Sequence, residues 1–351
     1  MKMIRKKTKK IKVGELYVGG DAPITVQSMT NTVTQDIENT IRQMLELEKH
    51  GCDIIRVAIN SDEDARAIKE IKKHIKMPII GDIQFDYRLA LSAVKYGIDG
   101  LRINPGNIGS EQKVKEIVKA CNEANISIRV GVNSGSIKKE YLEKYNGVNE
   151  NSIVESALEQ VNLLESLNFN NIKISLKASS VPLTIESYKK MSEIVDYPLH
   201  LGVTEAGTPW RGTIKSSIGI GALLSMGIGD TIRVSLTSDP VEEVKVGKEI
   251  LKSLGLRKEG LTLISCPTCG RTKINLIKLA EEVEKALEHI DKPITVAIMG
   301  CVVNGPGEAK EADIGIAGGV GEGLIFKKGQ IIKKVEEEYL LEELLKEIDK
   351  L

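Results

Sequence analysis

From Pro23 to about Leu254 the chain alternates two patterns: a short run of β-branched residues ending in a polar or glycine-rich turn, then a longer segment with apolar positions at helical spacing. The unit recurs eight times. The runs Ile24–Gln27, Ile54–Ala58, Pro78–Asp82, Gly100–Ile103, Ser127–Val132, Ile172–Leu176, Leu199–Val203 and Thr231–Leu236 predict strands. The segments Ile37–Lys49, Glu63–His74, Tyr87–Tyr96, Glu111–Asn122, Ser152–Ser166, Ile185–Val195, Gly212–Met226 and Val241–Leu254 predict the helices between them. Alternation of this kind makes a parallel sheet, and eight rounds of it close a (β/α)8 TIM barrel.

After Gly255 the pattern changes, which divides the chain into a barrel over residues 1–254 and a smaller α+β unit over 255–351. Strands are expected at Leu261–Ser265, Pro293–Met299, Ile314–Ala317 and Leu324–Phe326, a turn at Lys328-Gly329, and helices at Lys273–His289 and Glu336–Lys350. The first two strands each run into a cysteine group. These are Cys266-Pro-Thr-Cys269 and Cys301, the latter followed by Asn304-Gly-Pro-Gly-Glu308. The pair alone fits a structural zinc knuckle, a redox dithiol or an iron–sulfur cluster. Third and fourth donors some thirty residues away in a glycine-rich loop favour the cluster, with Glu308 as an oxygen ligand completing three thiolates. Cys52 and Cys121 fall within apolar patterns and read as buried small hydrophobes.

The downstream ends of the barrel strands carry Arg56, Asp82, Arg102 with Asn104, Arg129 with Asn133, Lys177, Thr204-Glu205, and Arg233 with Ser235. In a barrel these positions ring the mouth where active sites are built. Four arginines and a lysine converging there make an electropositive cup suited to a phosphate or diphosphate. Each taken singly also fits a solvated charge or an ion pair with Asp82 or Glu205. His200 reads as an interior histidine or as part of the site. Glu205 fits a proton donor or a counter-charge to the arginines.

Composition narrows the classes of function. The 351 residues carry 49 basic and 49 acidic side chains, so no net field draws the chain to nucleic acid or an anionic membrane. No apolar run is long enough to span a bilayer, and the basic start lacks a signal-peptide core, which predicts a cytoplasmic protein. Five cysteines, an odd number, argue for metal ligation and core thiols over a disulfide framework. Two other readings fit parts of the pattern: a metal-dependent sensor whose barrel merely binds an anion, and a pterin- or phosphosugar-binding transferase with a structural zinc.

Nearly the whole chain resembles the 4-hydroxy-3-methylbut-2-enyl diphosphate synthase family. The resemblance rests on Val26-Gln-Ser-Met-Thr30, Leu101-Arg-Ile-Asn-Pro-Gly-Asn-Ile-Gly109, Ile128-Arg-Val-Gly-Val-Asn-Ser-Gly135, His200-Leu-Gly-Val-Thr-Glu-Ala-Gly207, Gly229-Asp-Thr-Ile-Arg-Val-Ser235 and the two cysteine motifs. It implies a [4Fe-4S] cluster, one per chain, held by Cys266, Cys269, Cys301 and Glu308 in a domain resembling those of sulfite and nitrite reductases. It implies reductive ring opening of 2-C-methyl-D-erythritol 2,4-cyclodiphosphate in non-mevalonate isoprenoid synthesis, with electrons from reduced flavodoxin or ferredoxin. The family also implies a homodimer in which the barrel of one subunit faces the cluster domain of the other. Arg56, Asp82, Arg102, Asn104, Arg129, Asn133, Lys177, His200, Arg233 and Ser235 would then bind substrate, with Glu205 and Glu308 catalytic. Two departures stand out: Gln84 occupies the place of the family's usual histidine, and Thr208-Pro-Trp-Arg211 is an unusual segment.

Overall fold

The computed structural model describes residues 4–290, 292–301 and 309–351, and of Ser136 the backbone alone. Two compact units emerge, Met1–Leu256 and Arg257–Leu351. In the first, a hairpin of β1 (Ile11–Val13) and β2 (Leu16–Val18) precedes eight parallel strands: β3 (Thr25–Met29), β4 (Ile54–Ala58), β5 (Ile79–Asp82), β6 (Gly100–Ile103), β7 (Ser127–Asn133), β8 (Ile172–Lys177), β9 (His200–Leu201) and β10 (Thr231–Ile232). Their spatial order is β8-β7-β6-β5-β4-β3-β10-β9, and a parallel bridge from Ile174 to Leu199 joins the two ends of that row. The expected (β/α)8 barrel is therefore present. Its last two strands are shorter than the pattern suggests. Arg233 N still donates to Leu201 O at 2.9 Å, but beyond it both chains leave the ladder to form mouth loops.

Alternation along each strand sends one set of side chains to the helices and the other to the barrel axis. The outward set (Val26, Ile55, Val57, Ile79, Leu101, Ile128, Val130, Ile174, Leu201, Ile232) belongs to one large buried apolar core shared with the helices. The inward set is mostly polar. Strand pairing staggers around the barrel, so inward residues of alternate strands meet in layers of four. The strand registers place Gln27, Ile80, Arg129 and His200 in one layer. Ile54, Gly100, Lys173 and Thr231 lie below it, and Arg56, Arg102, Ser175 and Arg233 above. The hairpin, which the strand pattern does not announce, closes the bottom: Ile11, Val13 and Val18 pack on the inward Ile54 and Ile80.

The second unit is a five-stranded sheet in the order β11 (Leu261–Ser265), β12 (Ile294–Met299), β13 (Ile314–Gly318), β14 (Glu322–Lys327), β15 (Gln330–Glu336). The first three are parallel and the last two antiparallel. Helices Leu276–Leu287 and Leu340–Ile348 share an apolar cluster with Val296, Ile298, Ile314, Ile316 and Ile325. Ala297, Met299, Ala317 and Phe326 form a separate cluster with Ala309 and Ala312.

The expected helix Glu336–Lys350 is corrected here. Residues 330–336 form a strand, Glu337–Tyr339 a 3-10 turn, and the helix begins only at Leu340. Lys328 and Gly329 both take positive φ (48° and 76°), which suits a two-residue hairpin turn and folds Gln330 back onto Lys327. The other helix of this unit begins at Leu276 rather than Lys273, because Asn275 caps it by accepting from Lys278 N at 3.3 Å. Among the described residues no helix is long and apolar enough to cross a membrane.

The plug predicts an asymmetry in stability. Ile54→Ala, fully buried against the hairpin, should lower the unfolding free energy by about 2–5 kcal/mol. Ile331→Ala, on an exposed stretch of β15, should change it by less than about 0.5 kcal/mol. Urea titration of the two variants measures the difference.

Candidate active site

Strand alternation delivers the expected cations to one place. Arg56, Arg102, Arg129 and Lys177 all point inward, and Arg233 follows β10 in the same phase. Arg56 Nε lies 3.7 Å and Arg102 Nη1 3.3 Å from the two oxygens of buried Asp82. Arg102 Nη2 also donates to Gly131 O at 3.4 Å, and Arg129 Nη1 to Gln27 Oε1 at 3.2 Å. Arg233 Nη2 donates to Glu243 Oε2 at 3.4 Å. Asp82 thus serves two guanidinium groups and is an internal counter-ion as much as a ligand contact.

One carboxylate between two arginines leaves the cup strongly positive. Burial, with the neighbouring Arg233, pushes Arg56 down to about 9. Burial and the surrounding guanidinium groups also hold Arg129 and Lys177 well below their ordinary values. Guanidinium groups stay protonated in proteins, so the depressions reflect chiefly the cost of burying charge and, after it, repulsion among the cations, which an anionic ligand would relieve. Two glycines make room for the charges. A Cβ on Gly131 would meet Arg102 Nε at 2.6 Å, and one on Gly202 would meet Lys177 Nζ at 3.3 Å and Arg233 O at 2.7 Å.

Above the cations a cavity of about 270 Å3 is lined by Gln84, Arg102, Asn104, Asn107, Asn133, Ser134, Gly135, Thr204 and Glu205. Asn104 caps the short helix Pro105–Ile108, accepting from Gly106 N at 3.2 Å. Glu205 is exposed on the rim with φ of 52°, so the burial that would make it a poised acid is not built into this arrangement. Ser235 is half-buried. His200 is wholly buried in the layer beneath, its Nδ1 3.3 Å from Thr231 Oγ1. The unusual segment 208–211 opens the helix Pro209–Ser225, with Pro209 at its first position and Trp210 77% exposed.

Two residues of the barrel escape a reading of strand ends. Glu243, in the first turn of helix Pro240–Ser253, is buried and joins three elements: it accepts from Leu236 N (3.0 Å), Ser28 Oγ (3.3 Å) and Arg233. Lys173 is buried at the foot of β8. The alternation in Ile172-Lys-Ile-Ser-Leu-Lys177 already puts Lys173 on the same face as Lys177.

In the smaller unit the cysteines sit where the pattern put them. β11 and β12 are parallel neighbours with Ser265 opposite Ile298, so Cys266 and Cys301 leave adjacent strand ends. Cys266 Sγ accepts from Gly300 N at 3.2 Å, and Lys273 N donates to Gly300 O at 3.1 Å. A Cβ on Gly300 would meet Thr272 at 2.9 Å, so this close passage of two loops requires glycine. Cys269 is exposed, and hydrogen bonding from the Arg271 backbone lowers its thiol. Glu308 lies outside the described residues, and among those described no three His, Cys, Asp or Glu side chains converge on a metal position. The donor set nevertheless fits an iron–sulfur group: two thiols at neighbouring strand ends, a third on the loop after the first, and a backbone N–H already aimed at one sulfur.

Burial pushes the Cys52 and Cys121 thiols up to about 12. Iodoacetamide at pH 8 should therefore alkylate Cys269 of the iron-free folded chain within minutes and leave Cys52 and Cys121 unmodified until denaturant is added, as peptide mass mapping would show.

Residues 8–248 match the GcpE TIM-barrel domain and residues 262–350 the GcpE protein C-terminal domain. Over 348 residues the chain is 64% identical to the 4-hydroxy-3-methylbut-2-en-1-yl diphosphate synthase (flavodoxin) of Caldanaerobacter subterraneus subsp. tengcongensis, covering 99% of this chain and 98% of the relative. The enzyme of that name from Clostridium acetobutylicum is 64% identical over 347 residues, 99% of each chain. Among solved structures, type I 3-dehydroquinate dehydratase from Clostridium difficile superposes with a TM-score of 0.53 at 12% identity, over 70% of this chain and 98% of that one. That likeness shows the barrel alone. With both family domains matched in order and nearly every residue aligned to its relatives, the chain belongs to the GcpE family.

Proposed function

We propose that this chain is a cytosolic iron–sulfur oxidoreductase that opens 2-C-methyl-D-erythritol 2,4-cyclodiphosphate and dehydrates it to 4-hydroxy-3-methylbut-2-en-1-yl diphosphate in the non-mevalonate isoprenoid route. The observation that carries the reading is the buried cationic cup: five side chains converge on one barrel mouth in a chain with no net charge. Its sign suits a cyclic diphosphate, the cavity of about 270 Å3 at the mouth is bordered by Arg102, and relatives 64% identical to this chain bear the enzyme's name.

In this reading Arg56, Arg102, Arg129, Lys177 and Arg233 hold the phosphoryl oxygens, relieving the repulsion between them. Asn104, Asn133 and Ser235 orient the ligand, and Asp82 keeps Arg56 and Arg102 aimed into the mouth. Glu243 does the same for Arg233 from outside the barrel. Glu205 stands on the rim with Gln84 and donates the proton with which the departing hydroxyl leaves as water, once closure over the mouth has stripped it of solvent. His200 supports the floor. Cys266, Cys269, Cys301 and Glu308 would hold a [4Fe-4S] cluster, one per chain, which would pass on electrons taken singly from reduced flavodoxin. The working unit is a homodimer in which the barrel of one copy is served by the cluster unit of the other.

Protein purified without oxygen should contain about four iron and four acid-labile sulfide per chain; zinc without sulfide after anaerobic reconstitution would remove the redox reading. Cys269→Ser should lose the cluster with the barrel still folded. Arg129→Ala should keep its iron but lose roughly 10- to 100-fold in kcat/KM, the loss expected for one charge-assisted contact.

These two inactive variants also test the shared site. Randomly remixed, they should regain about a quarter of wild-type activity if the site spans two copies, because half the dimers are mixed and each carries one intact site. No regain in proven mixed dimers would place the whole site in one chain.

Glu243→Gln keeps the acceptor for Leu236 N and Ser28 but gives up the charge facing Arg233. It should raise KM several-fold with kcat little changed, and a matched fall in both with loss of stability would mark it as structural only.

A further inference from the structure

Below the cup the barrel interior holds polar groups that the mouth chemistry does not use. Thr25 Oγ1, Gln27 Nε2, Arg129 Nε, Lys173 Nζ and His200 Nε2 are all buried and have no hydrogen-bond partner among the described residues. None of these residues is more than 7% exposed. They come from β3, β7, β8 and β9, and strand alternation turns all five toward the barrel axis, in the Gln27–Arg129–His200 layer or beneath it. Each unpaired buried polar atom costs about 1–3 kcal/mol, so five facing one space are not an incidental packing fault.

The kind of occupant follows from which atoms are left over. Gln27 Nε2 and Arg129 Nε can only donate, as can a protonated Lys173. His200 Nδ1 is paired with Thr231 Oγ1 at 3.3 Å, and in the tautomer in which the threonine hydroxyl donates, Nε2 carries the proton and donates as well. The one amide acceptor nearby, Gln27 Oε1, is already taken by Arg129 Nη1 at 3.2 Å. Carboxylates lie elsewhere. Asp82 serves Arg56 and Arg102 nearer the mouth, and Asp230 is occupied by Arg5, Thr8 and the Leu199 amide. Two cationic side chains and a surplus of donors thus face a space with no anion of the protein's own among the described residues.

Size sets the rest. An eight-stranded barrel is only wide enough inside for its own side chains. The Ile11–Val13–Val18 face of the hairpin on Ile54 and Ile80 seals this one from below. Within so narrow a tube the smallest anions are favoured over tetrahedral oxyanions.

We propose that the barrel interior carries a monovalent-anion site of chloride size and chemistry, held by Gln27, Arg129, Lys173 and His200 and separate from the mouth. Burial and Arg129 push the Lys173 amine down to about 7, and an anion beside it favours the charged form again. The same ion steadies Arg129 from beneath while its outer nitrogens face Gln27 and the cup.

The cluster-bearing protein, purified and crystallised anaerobically with bromide replacing chloride, provides the test. An anomalous peak is expected between Lys173 Nζ, Arg129 Nε and His200 Nε2. It should be lost in Lys173→Met crystals grown in the same way, whose side chain keeps the length but not the charge. Water alone at that position in the wild type, alongside ordered bromide elsewhere, overturns the proposal. So does a peak that survives unchanged in Lys173→Met, because the lysine would then not be holding the ion. In solution the wild type should melt at a higher temperature in chloride than in gluconate at equal ionic strength, and Lys173→Met should narrow that gap. Equal wild-type melting temperatures in the two salts count against the site.

Discussion

Repulsion between like charges inside a closed barrel is the constraint on which this structure turns. Arg56, Arg102, Arg129, Lys173, Lys177 and Arg233 share an interior in which Asp82 is the inward carboxylate and Glu243 reaches Arg233 from the helix layer. Apart from Ile54 and Ile80 at the bottom, an interior of this kind gains little from its own side chains. Stability has to come from the outward faces of the same strands, where isoleucine, valine and leucine meet the helices in one continuous core. The barrel thereby separates its two tasks by the phase of the strand: the outward-facing positions hold it together and the inward-facing ones hold charge in readiness for a ligand. Electrostatic preorganisation of this sort is costly in the empty protein and recovered when an anion arrives.

The cysteine unit solves a different problem with the same device. Two parallel neighbours end at the same level, so cysteines far apart in the chain leave adjacent strand ends without any long-range folding signal beyond the strand pairing. Gly300 then lets the Cys266–Lys273 loop pass within contact of β12's end, and the Gly300 amide meets the Cys266 sulfur. Flanking helices contribute packing on the Ile-lined face rather than ligands.

Much of this was legible before any coordinates because strand period and helix period are physically distinct. Arg102 could be assigned to the mouth from its place at the end of a β-branched run, whereas Arg129 is the third residue of β7 and sits one layer below it. The misses share a cause. Three-residue strands such as Ile11–Val13 are too short for a period to register, and β15 escapes because Gln330-Ile-Ile-Lys-Lys-Val-Glu336 does not alternate and is mostly exposed, although the turn before it at Lys328-Gly329 is legible. Glu243 was hidden for another reason: its role depends on the angle at which a helix meets the barrel, which no local pattern encodes. Lys173 was visible in the alternation and overlooked because a strand's lower end attracts no functional reading. Glu308 lies outside the described residues.

Gly131 and Gly202 carry a consequence for how such cups diverge. Each occupies an inward position where a larger residue would press on its neighbours, Arg102 Nε at 2.6 Å in one case and the Arg233 carbonyl at 2.7 Å, with Lys177 Nζ at 3.3 Å, in the other. The field in the mouth is therefore set partly by two residues with no side chain. A related barrel could retain every arginine and lysine named above and still lose its anion, simply by acquiring a methyl group at either glycine. Charge inventory alone is a poor guide to which members of such a lineage keep their ligand; the empty positions beside the charges carry equal weight.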